Sequence, residues 1–416
     1  MIRLSIDKAV DKIASRLNRT DRRIFIPGGA GEPLALLEAW RRRPETAAGL
    51  TFVGAHVPTV NRTDWAALHA TARAEGVFVS ADWRASFEAG RFALRPMTWF
   101  QAWVWLAETP LDAAVFHVSP PDAAGRVSFG VAGDLPPAVV GRDIQKIALV
   151  NAAMPRVRGA TWPLEAFDLA VEVDHPLLTY DPGPLDPAFA AIKAHLRPLI
   201  SEGASVQFGV GKAGVAALAA LEGLGGLRIH SGMVTDPLLA VLDSGAADAV
   251  VAGMAAGGPG LYARCGEDPR IRFEPAGFTH DIRVLAGIPR LVAVNSALEV
   301  DLFGQANAEI QDGRQVSGVG GLTDFLRGAR LSDGGLPILA LPSTARRGAV
   351  SRIVPRLPPG AVSVPRADVG LVITEHGVAD LRGQTLDGRA EALIAIADPA
   401  SRDALRDAWR AMRRGL

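Results

Sequence analysis

The sequence contains a single cysteine, Cys265, among its 416 residues. One thiol cannot form a disulfide within the chain, and this agrees with a reducing compartment. A lone cysteine is also more typical of a structural residue than of a catalytic one. We therefore expect a cytoplasmic protein in which Cys265 has a structural role.

Net charge is absent as well, because 44 Lys and Arg residues balance 44 Asp and Glu residues. Without a basic stripe, the sequence does not predict binding to nucleic acid. It also lacks an apolar run of about 18 residues, the length that a membrane-spanning helix requires. Arg3, Asp7 and Lys8 lie where a signal peptide would have its apolar core. We therefore expect neither export nor insertion into a membrane.

Apolar residues are abundant, at 49% of the chain, together with 44 glycines and 29 prolines. This composition is typical of a folded α/β protein rather than of a disordered or fibrous one. The chain is longer than one hydrophobic core usually supports, so two domains are expected. Prolines cluster between residues 175 and 187, where few apolar positions are periodic. We therefore predict one domain over residues 1–180 and a second over residues 188–416.

Short apolar segments rich in β-branched residues alternate with helix-like segments along the whole chain. The predicted strands are 23–27, 51–55, 76–81, 113–119, 146–151, 169–174, 205–210, 227–231, 247–252, 291–300, 336–342 and 370–374. The predicted helices of the second half are 213–221, 236–242, 324–329 and 387–396. Such alternation indicates βαβ units and an α/β fold with largely parallel sheets.

Three glycine-rich turns follow predicted strands, at residues 27–33, 209–214 and 318–325. Glycine permits positive φ angles and close approach of the backbone. In α/β proteins, ligands bind at the carboxyl ends of the parallel strands. We therefore expect these turns to bring backbone N–H groups near a ligand, although each turn is also explained by a tight strand-to-helix connection.

The turn at 209–214 matches the dinucleotide fingerprint G-x-G-x-x-G. That fingerprint requires an acidic residue about 20 positions further on, at the end of the next strand. The next predicted strand ends at His230 and Ser231 and has no acid there. A nicotinamide cofactor is therefore not predicted. The eight histidines show no metal-site spacing, so no metal is predicted either.

Several motifs of the second half occur in an ordered series. They are NSALEVDL at 295–302, GGLTDFLRGA at 320–329, ALPSTA at 340–345, SRIVP at 351–355, TEHGVA at 374–379 and LRG at 381–383. This series resembles the C-terminal signature of the acetyl-CoA hydrolase/transferase family. The first half is similar to the family more loosely, at residues 28–33, 118–125 and 150–156.

The resemblance implies two NagB/RpiA/CoA-transferase-like α/β domains with the active site in the cleft between them, usually in a homodimer. It also implies that the protein transfers coenzyme A between an acyl-CoA and a small carboxylic acid. Coenzyme A is then a substrate, bound as the thioester, and not a resident cofactor.

The family nucleophile is a glutamate in a segment like His-Thr-Glu-Met-x-x-Asp, which attacks the thioester and forms an acyl-glutamyl anhydride. The segment at 230–236 reads His-Ser-Gly-Met-Val-Thr-Asp, so Gly232 stands at the position of that glutamate. Glycine has no side chain that can form the anhydride. Loss of a covalent nucleophile lowers turnover by roughly 10⁴- to 10⁶-fold in a well-studied hydrolase.

Three hypotheses follow from Gly232. Another carboxylate, from Glu375, Glu299 or Asp236, replaces the nucleophile. Alternatively, water enters the space at Gly232 and hydrolyses the thioester, with Glu375 or Asp236 as general base. The third hypothesis is a non-catalytic protein that binds acyl-CoA. Each carboxylate also has a structural interpretation: Asp236 as a helix cap, Glu299 as a solvated or ion-paired residue, and Glu375 in an internal salt bridge.

The resemblance assigns further residues to the binding of substrate. Gly320 and Gly321 are expected to direct backbone N–H groups at the thioester carbonyl or the pantetheine arm. Gly28, Gly29 and Gly31 are expected to line the acyl pocket. The other predicted substrate- or CoA-binding residues are Asn151, Arg156, Gly209, Gly211 and Ser343.

Overall fold

A computed structural model describes residues 2–16 and 22–415. The chain forms two compact units. The first contains Met1–Asp181, Gly232–Asp236 and Val251–Thr279, and the second contains Pro182–Ser231, Pro237–Val250 and His280–Leu416. The predicted domain bounds, 1–180 and 188–416, stay a prediction, because compact units do not show which segments fold on their own.

Up to residue 181 the strands are β1 (Ile2–Arg3), β2 (Arg22–Phe25), β3 (Leu50–Val53), β4 (Arg73–Gly76), β5 (Phe92–Leu94), β6 (Ala113–Val118), β7 (Arg126–Val127), β8 (Gln145–Asn151), β9 (Trp162–Pro163) and β10 (Leu169–Val173). The helices of this part are α1 (Ile6–Arg16), α2 (Leu34–Arg42), α3 (Arg84–Glu88), α4 (Trp99–Glu108) and α5 (Pro137–Val140). Its short 3₁₀ turns are Gly29–Gly31, Pro44–Ala47, Trp65–Leu68, Ala81–Trp83 and Leu164–Ala166.

The main sheet of the first unit has eight strands in the order β1-β10-β8-β6-β2-β3-β4-β5, and every pair in it is parallel. The inner strands β3 and β6 are buried along their whole length, as expected of parallel strands that are covered on both faces. Neighbouring residues point to opposite faces. Ile24 packs in one core with Trp40 and Phe52, whereas Phe25 packs in the other with Phe116.

From residue 182 onward the strands are β11 (Ser205–Phe208), β12 (Leu227–Val234), β13 (Ala247–Ala255), β14 (Ile271–Phe273), β15 (Leu291–Asn295), β16 (Glu299–Asp301), β17 (Ala306–Asn307), β18 (Ile310–Gln311), β19 (Arg314–Gln315), β20 (Leu336–Ala340), β21 (Thr344–Ala345), β22 (Val350–Ser351), β23 (Ile353–Val354), β24 (Leu371–Thr374) and β25 (Gly377–Asp380). The helices are α6 (Pro187–Leu196), α7 (Lys212–Ala219), α8 (Leu238–Asp243), α9 (Pro259–Glu267), α10 (Ala276–Thr279), α11 (Ile282–Ala286), α12 (Leu322–Leu331), α13 (Leu386–Ala395) and α14 (Arg402–Arg413). Arg197–Leu199 and Pro399–Ser401 form 3₁₀ turns.

Strands β12 and β13 begin in the second unit and end in the first. In the second unit the strand order is β13-β12-β11-β15-β20-β24-β25. The strands β12, β11, β15, β20 and β24 pair in parallel, and β25 is antiparallel to β24. The predicted α/β class with largely parallel sheets is therefore confirmed.

Two predicted strands differ from the structure. The apolar run 77–79 predicts a strand over 76–81. The hydrogen-bonded strand in the structure is instead β4, Arg73–Gly76. Its polar Glu75 is held by ion pairs with Arg23 and Arg95. The predicted strand 291–300 is two strands, β15 and β16, which belong to different sheets.

No helix of the described ranges, 2–16 and 22–415, has both the length and the apolar character needed to cross a bilayer.

Gly214, in the first turn of α7, allows a close backbone contact that a larger residue would prevent. A Cβ there would lie 2.0 Å from the carbonyl oxygen of Gly209. We expect Gly214→Ala to lower the free energy of unfolding by about 1–3 kcal/mol, as overpacking does in other proteins. The measurement is the midpoint of thermal unfolding. Gly260→Ala in α9 is the matched control, because a Cβ at Gly260 meets no heavy atom within 4 Å. Equal shifts in the two variants would contradict the explanation.

Candidate functional site

The first glycine turn connects β2 to α2 and includes the 3₁₀ turn Gly29–Gly31. A Cβ at Gly28 would lie 2.3 Å from the carbonyl oxygen of Ala55, so a side chain has no room there. Gly29 has a φ angle of +60°, a conformation that favours glycine over other residues. Backbone packing thus requires glycine at position 28, and backbone conformation favours glycine at position 29.

Asn61, which the sequence reasoning missed, holds this turn in place. It is fully buried. Its Oδ1 accepts hydrogen bonds from the N–H groups of Gly29, at 2.8 Å, and Val57, at 2.9 Å. Its Nδ2 donates to the carbonyl of Gly29 and to Oε2 of Glu32, both at 3.0 Å. The N–H of Gly29 is therefore used inside the protein, and so is that of Gly31, which donates to the Gly28 carbonyl at 3.1 Å. That the turn lines an acyl pocket stays a prediction.

His117 connects the predicted residue Asn151 to the same turn. Nε2 of His117 lies 2.8 Å from Nδ2 of Asn151, and Nδ1 lies 3.3 Å from the Gly31 carbonyl oxygen. Because the Asn amide nitrogen is a donor and the carbonyl is an acceptor, the imidazole is neutral with its proton on Nδ1. Burial lowers the pKa of His117 to about 4, which agrees with the neutral form. Asn151 also donates to the His175 carbonyl at 2.7 Å. It supports the turn, and direct contact with substrate stays a prediction.

The end of β13 brings the glycine turn close to Gly232 within the first unit. A Cβ at Gly29 would lie 3.2 Å from the sulfur of Met254. A Cβ at the preceding residue, Gly253, would lie 2.7 Å from the carbonyl oxygen of Gly232. Gly29 and Gly232 thus pack against consecutive residues of one strand. We call Gly28–Gly31, Gly232, Gly253 and Met254 the glycine wall.

Asp134 lies beside the glycine wall and was also missed. A Cβ at Gly253 would lie 3.3 Å from the Cβ of Asp134. The indole Nε1 of Trp99 donates to Asp134 Oδ2 at 3.1 Å. Burial raises the pKa of the Asp134 carboxyl to about 7, against the opposing hydrogen bonds from Leu135 and Trp99. The available signal was a single acidic residue inside the otherwise apolar stretch 129–140.

Asp236 binds the start of a helix other than the one that follows it. Both of its carboxylate oxygens accept from the N–H of Gly258, at 2.9 and 3.0 Å. Gly258 is the N-cap residue of α9, where the helix dipole favours a negative charge. The helix after Asp236, α8, has Pro237 as its N-cap and no side-chain cap. The alternative of a cap on its own helix is therefore wrong, and the catalytic role of Asp236 stays a prediction.

Cys265 lies buried in α9. Burial, reinforced by the negative charges of Asp236 and Asp268, raises the pKa of the thiol to about 12. The thiol is therefore protonated at neutral pH and is a poor nucleophile.

Arg156 binds a carboxylate of the protein itself. One guanidinium nitrogen forms an ion pair with Asp122 at 3.0 Å and donates to the carbonyl of Arg126. Its binding of substrate or coenzyme A stays a prediction.

The turn 209–214 of the second unit opens α7. Gly211 has a φ angle of +97°, and a Cβ there meets no heavy atom within 4 Å. The N–H of Gly209 donates to the Val294 carbonyl at 2.9 Å. Beside the turn, the buried side chains of Gln207 and Asn295 bind each other, with Asn295 Nδ2 2.8 Å from Gln207 Oε1. The structure therefore explains Gly211 by backbone conformation, and ligand contact at Gly209 and Gly211 stays a prediction.

Ser343 holds Glu375 at the same edge of this sheet, where β20 and β24 end. The Ser343 N–H donates to Glu375 Oε2 at 2.7 Å, and its hydroxyl donates to Oε1 at 2.8 Å. Burial lowers the pKa of Arg352, and the negative charges of Glu375 and Glu299 act in the opposite direction and raise it. Glu299 accepts from Asn307 Nδ2 at 3.1 Å. The structure thus brings Glu375 and Ser343 together, and their roles in catalysis and in substrate binding stay predictions.

The third glycine turn, also in the second unit, leads into α12. Gly320 has a φ angle of +53°, and Gly321 is the N-cap residue of α12. A Cβ at Gly321 would lie 2.7 Å from Nε2 of His280. Burial, followed by the nearby His230, lowers the pKa of His280 to about 3. A neutral imidazole therefore packs where a side chain at position 321 would lie, and ligand contact by the turn stays a prediction.

No three His, Cys, Asp or Glu side chains of residues 2–16 and 22–415 are grouped as ligands of a metal ion.

Comparison with known proteins identifies the family. The model of the acetyl-CoA hydrolase/transferase N-terminal domain matches residues 8–175, and the model of the C-terminal domain matches residues 257–409. The chain belongs to the acetyl-CoA hydrolase/transferase family. The predicted family is thus confirmed, and with it the association with acyl-CoA as the family's substrate.

Relatives and solved structures match nearly the whole chain. The chain is 33% identical to 4-hydroxybutyrate coenzyme A transferase of Clostridium kluyveri, over 98% of this chain and 97% of that protein. It is 31% identical to succinyl-CoA:cyclohexane-1-carboxylate CoA transferase of Geobacter metallireducens, over 94% and 92%. The structure of RipA from Yersinia pestis is similar with a TM-score of 0.91 at 29% identity, covering 99% of this chain and 97% of that one. That of 4-hydroxybutyrate CoA-transferase from Porphyromonas gingivalis is similar with a TM-score of 0.80 at 31% identity, covering 100% and 98%.

Asn61→Ala tests the support of the first glycine turn. The change leaves the N–H and carbonyl of Gly29 without their partner in a buried region, and each such group costs about 1–3 kcal/mol. We therefore expect a lower midpoint of thermal unfolding and slower loss of acyl-CoA. Arg62→Ala, one residue further on and exposed, is the control. An Asn61→Ala protein as stable and as active as Arg62→Ala would contradict the role of the amide.

Ser343→Ala tests whether Glu375 must be held in place. The change removes the hydroxyl donor to Oε1 and keeps the N–H donor to Oε2. A hydrogen bond to a charged group contributes about 1.5–3 kcal/mol, so we expect kcat/KM for acyl-CoA to fall about tenfold or more. Ser244→Ala removes a hydroxyl that donates to a backbone carbonyl in the same unit and serves as control. Unchanged kcat/KM in Ser343→Ala would exclude the role.

Proposed function

We propose that this protein acts on the thioester bond of an acyl-CoA and transfers coenzyme A to a small carboxylic acid. The observation that carries the proposal is the glycine wall. There the glycine turn after β2 and the segment of Gly232 pack on one strand end with glycine at positions 28, 29, 31, 232 and 253. The relatives that match nearly the whole chain are named as CoA transferases, which supports the same chemistry.

Backbone without side chains suits a thioester, because it leaves room for the reacting group beside the main chain. Acyl transfer passes through an oxyanion, and N–H groups fixed in advance stabilise it. We propose that Gly320 and Gly321 supply such donors. The other residues that we assign to substrate or CoA binding are Gly28, Gly29, Gly31, Asn151, Arg156, Gly209, Gly211 and Ser343.

The attacking group is where this chain departs from its family. We propose that Gly232 occupies the position of the family glutamate, so the anhydride cannot form there. Asp236, Glu299 and Glu375 are candidate replacements, and each accepts hydrogen bonds from neighbouring N–H or O–H donors. Such bonds favour the ionised form of each carboxylate and fix its position.

Thioester hydrolysis is the second candidate function. Asp134, a buried carboxyl with a pKa raised to about 7, lies beside the glycine wall. This carboxyl favours hydrolysis, because a group that exchanges protons at neutral pH suits the activation of water.

A panel of acyl-CoAs, with and without short-chain acids, tests these functions when free thiol and CoA exchange are both followed. Exchange that requires an acceptor acid supports transfer. Release of free CoA without an acceptor supports hydrolysis. Binding of acyl-CoA in calorimetry without loss of the thioester over hours supports a non-catalytic protein and excludes both activities.

Gly232→Glu tests the assignment of position 232. We expect this variant to raise acceptor-dependent CoA exchange by about 100-fold or more, since removal of a covalent nucleophile costs roughly 10⁴-fold or more in a well-studied hydrolase. With acyl-CoA present, hydroxylamine should then convert the activated carboxyl of the new side chain at position 232 into a hydroxamate, with release of CoA. Gly225→Glu is the control, because it adds a carboxylate where a Cβ meets no heavy atom within 4 Å. A Gly232→Glu protein that exchanges no faster than Gly225→Glu would refute the assignment.

We further propose a homodimer, as the family resemblance implies, and a cytoplasmic location, in agreement with the single cysteine. Light scattering by the purified protein measures the oligomeric state.

A further inference from the structure

Asp134 and the segment of Gly232, the proposed site of the missing nucleophile, both lie beside Gly253. Gly253 separates the two: a Cβ there would lie 2.7 Å from the Gly232 carbonyl oxygen, 3.3 Å from the Asp134 Cβ and 3.5 Å from the Thr279 hydroxyl oxygen. Asp134 and the segment of Gly232 therefore both border the space beside the same strand residue.

The orientation of Asp134 is fixed at both its main chain and its side chain. Its carbonyl oxygen accepts from the Ala276 N–H at 2.7 Å, and its Oδ2 accepts from Trp99 Nε1 at 3.1 Å. Trp99 itself begins α4, whose N-terminus is held by a capping box between Thr98 and Gln101. The carboxyl is therefore held in place, as a proton-transferring group must be.

The surroundings of Asp134 keep it able to exchange protons at neutral pH. Burial raises its pKa to about 7, and the groups that oppose the rise are the neutral donors Leu135 and Trp99 together with its own N–H. At neutral pH the carboxyl is present in both protonation states, whereas an ordinary aspartate with a pKa near 3.9 would be a much weaker base.

We propose that Asp134 is the general base that activates water against the thioester, an inference that rests on the proposed action on acyl-CoA. Asp134 takes a proton from water while the water oxygen forms a bond to the thioester carbonyl carbon. The carbon–sulfur bond then breaks, and Asp134 returns the proton to the departing sulfur of coenzyme A. The products are the free carboxylic acid and CoA thiol, and no other reactant is consumed.

Asp134→Asn tests this role with acetyl-CoA as substrate and no acceptor acid, by following free thiol. General-base catalysis contributes typically 10²- to 10⁴-fold, so we expect kcat to fall at least about 100-fold with KM little changed. The rate of the unaltered protein should rise with pH through an inflection near the pKa of about 7, and Asp134→Asn should lose that inflection. Asp134→Glu, which keeps the carboxyl, should recover part of the rate.

Thermal unfolding gives a second readout of the same carboxyl. A pKa raised by folding, from an ordinary value of 3.8 to about 7, means that its contribution to stability is full below pH 3.8 and is lost as the pH rises towards 7. The unfolding midpoint of the unaltered protein should therefore fall across that range relative to Asp134→Asn, which carries no titrating group there.

The Gly232→Glu background separates catalysis by Asp134 from a structural role at Trp99. The double variant with Asp134→Asn should keep acceptor-dependent CoA exchange, because its nucleophile is the new glutamate. Loss of both exchange and hydrolysis in the double variant would show a structural role and overturn the proposal, as would hydrolysis by Asp134→Asn at the unaltered rate. An unaltered protein that exchanges CoA but never releases it to water would overturn the role of Asp134 and leave the proposed function standing. If the protein neither turns over nor binds any acyl-CoA, the proposed function itself is overturned.

Discussion

The four hydrogen bonds of Asn61 are the interaction on which the candidate site of the first unit depends. They hold the backbone of Gly29 on both its N–H and carbonyl sides and tie it to Glu32 and Val57. Ordering a turn of glycines costs much conformational entropy, and glycines make few side-chain contacts that could offset this cost. The hydrogen bonds of Asn61 therefore stabilise the ordered turn. The packing of Gly29 on Met254, and hence the approach of the turn to the segment of Gly232, depends on this amide.

Most of the fold could be predicted because buried parallel strands leave a local signal. Strand β6, Ala113–Val118, is apolar except for His117 and is buried throughout, and the predicted strand 113–119 follows it closely. Strand β4 gave no such signal, since Arg73 and Glu75 are polar and Glu75 pairs with arginines that are 52 and 20 residues away in the chain. A strand stabilised by distant charges cannot be found from its own residues.

The residues of the candidate site also fall into those with a local sequence signal and those without one. The glycine turns were found because glycine at a strand end is a signal within a few residues, as the positive φ angles of Gly29, Gly211 and Gly320 show. Asn61 and Asp134 were missed because their partners, Gly29 and Trp99, are 32 and 35 residues away in the chain. Only the folded chain brings these groups together.

The neutral imidazole of His117 supports the glycine turn but does not titrate near neutral pH, unlike Asp134. With a pKa of about 4, it keeps the same proton, and hence the same bonds to Asn151 and Gly31, throughout the range in which Asp134 gains and loses its own. Acidification by one or two pH units would thus protonate Asp134 while the hydrogen bonds of His117 to Asn151 and Gly31 stay unchanged. The proposed base would therefore lose its negative charge over that interval without any change in the bonds that hold the glycine turn.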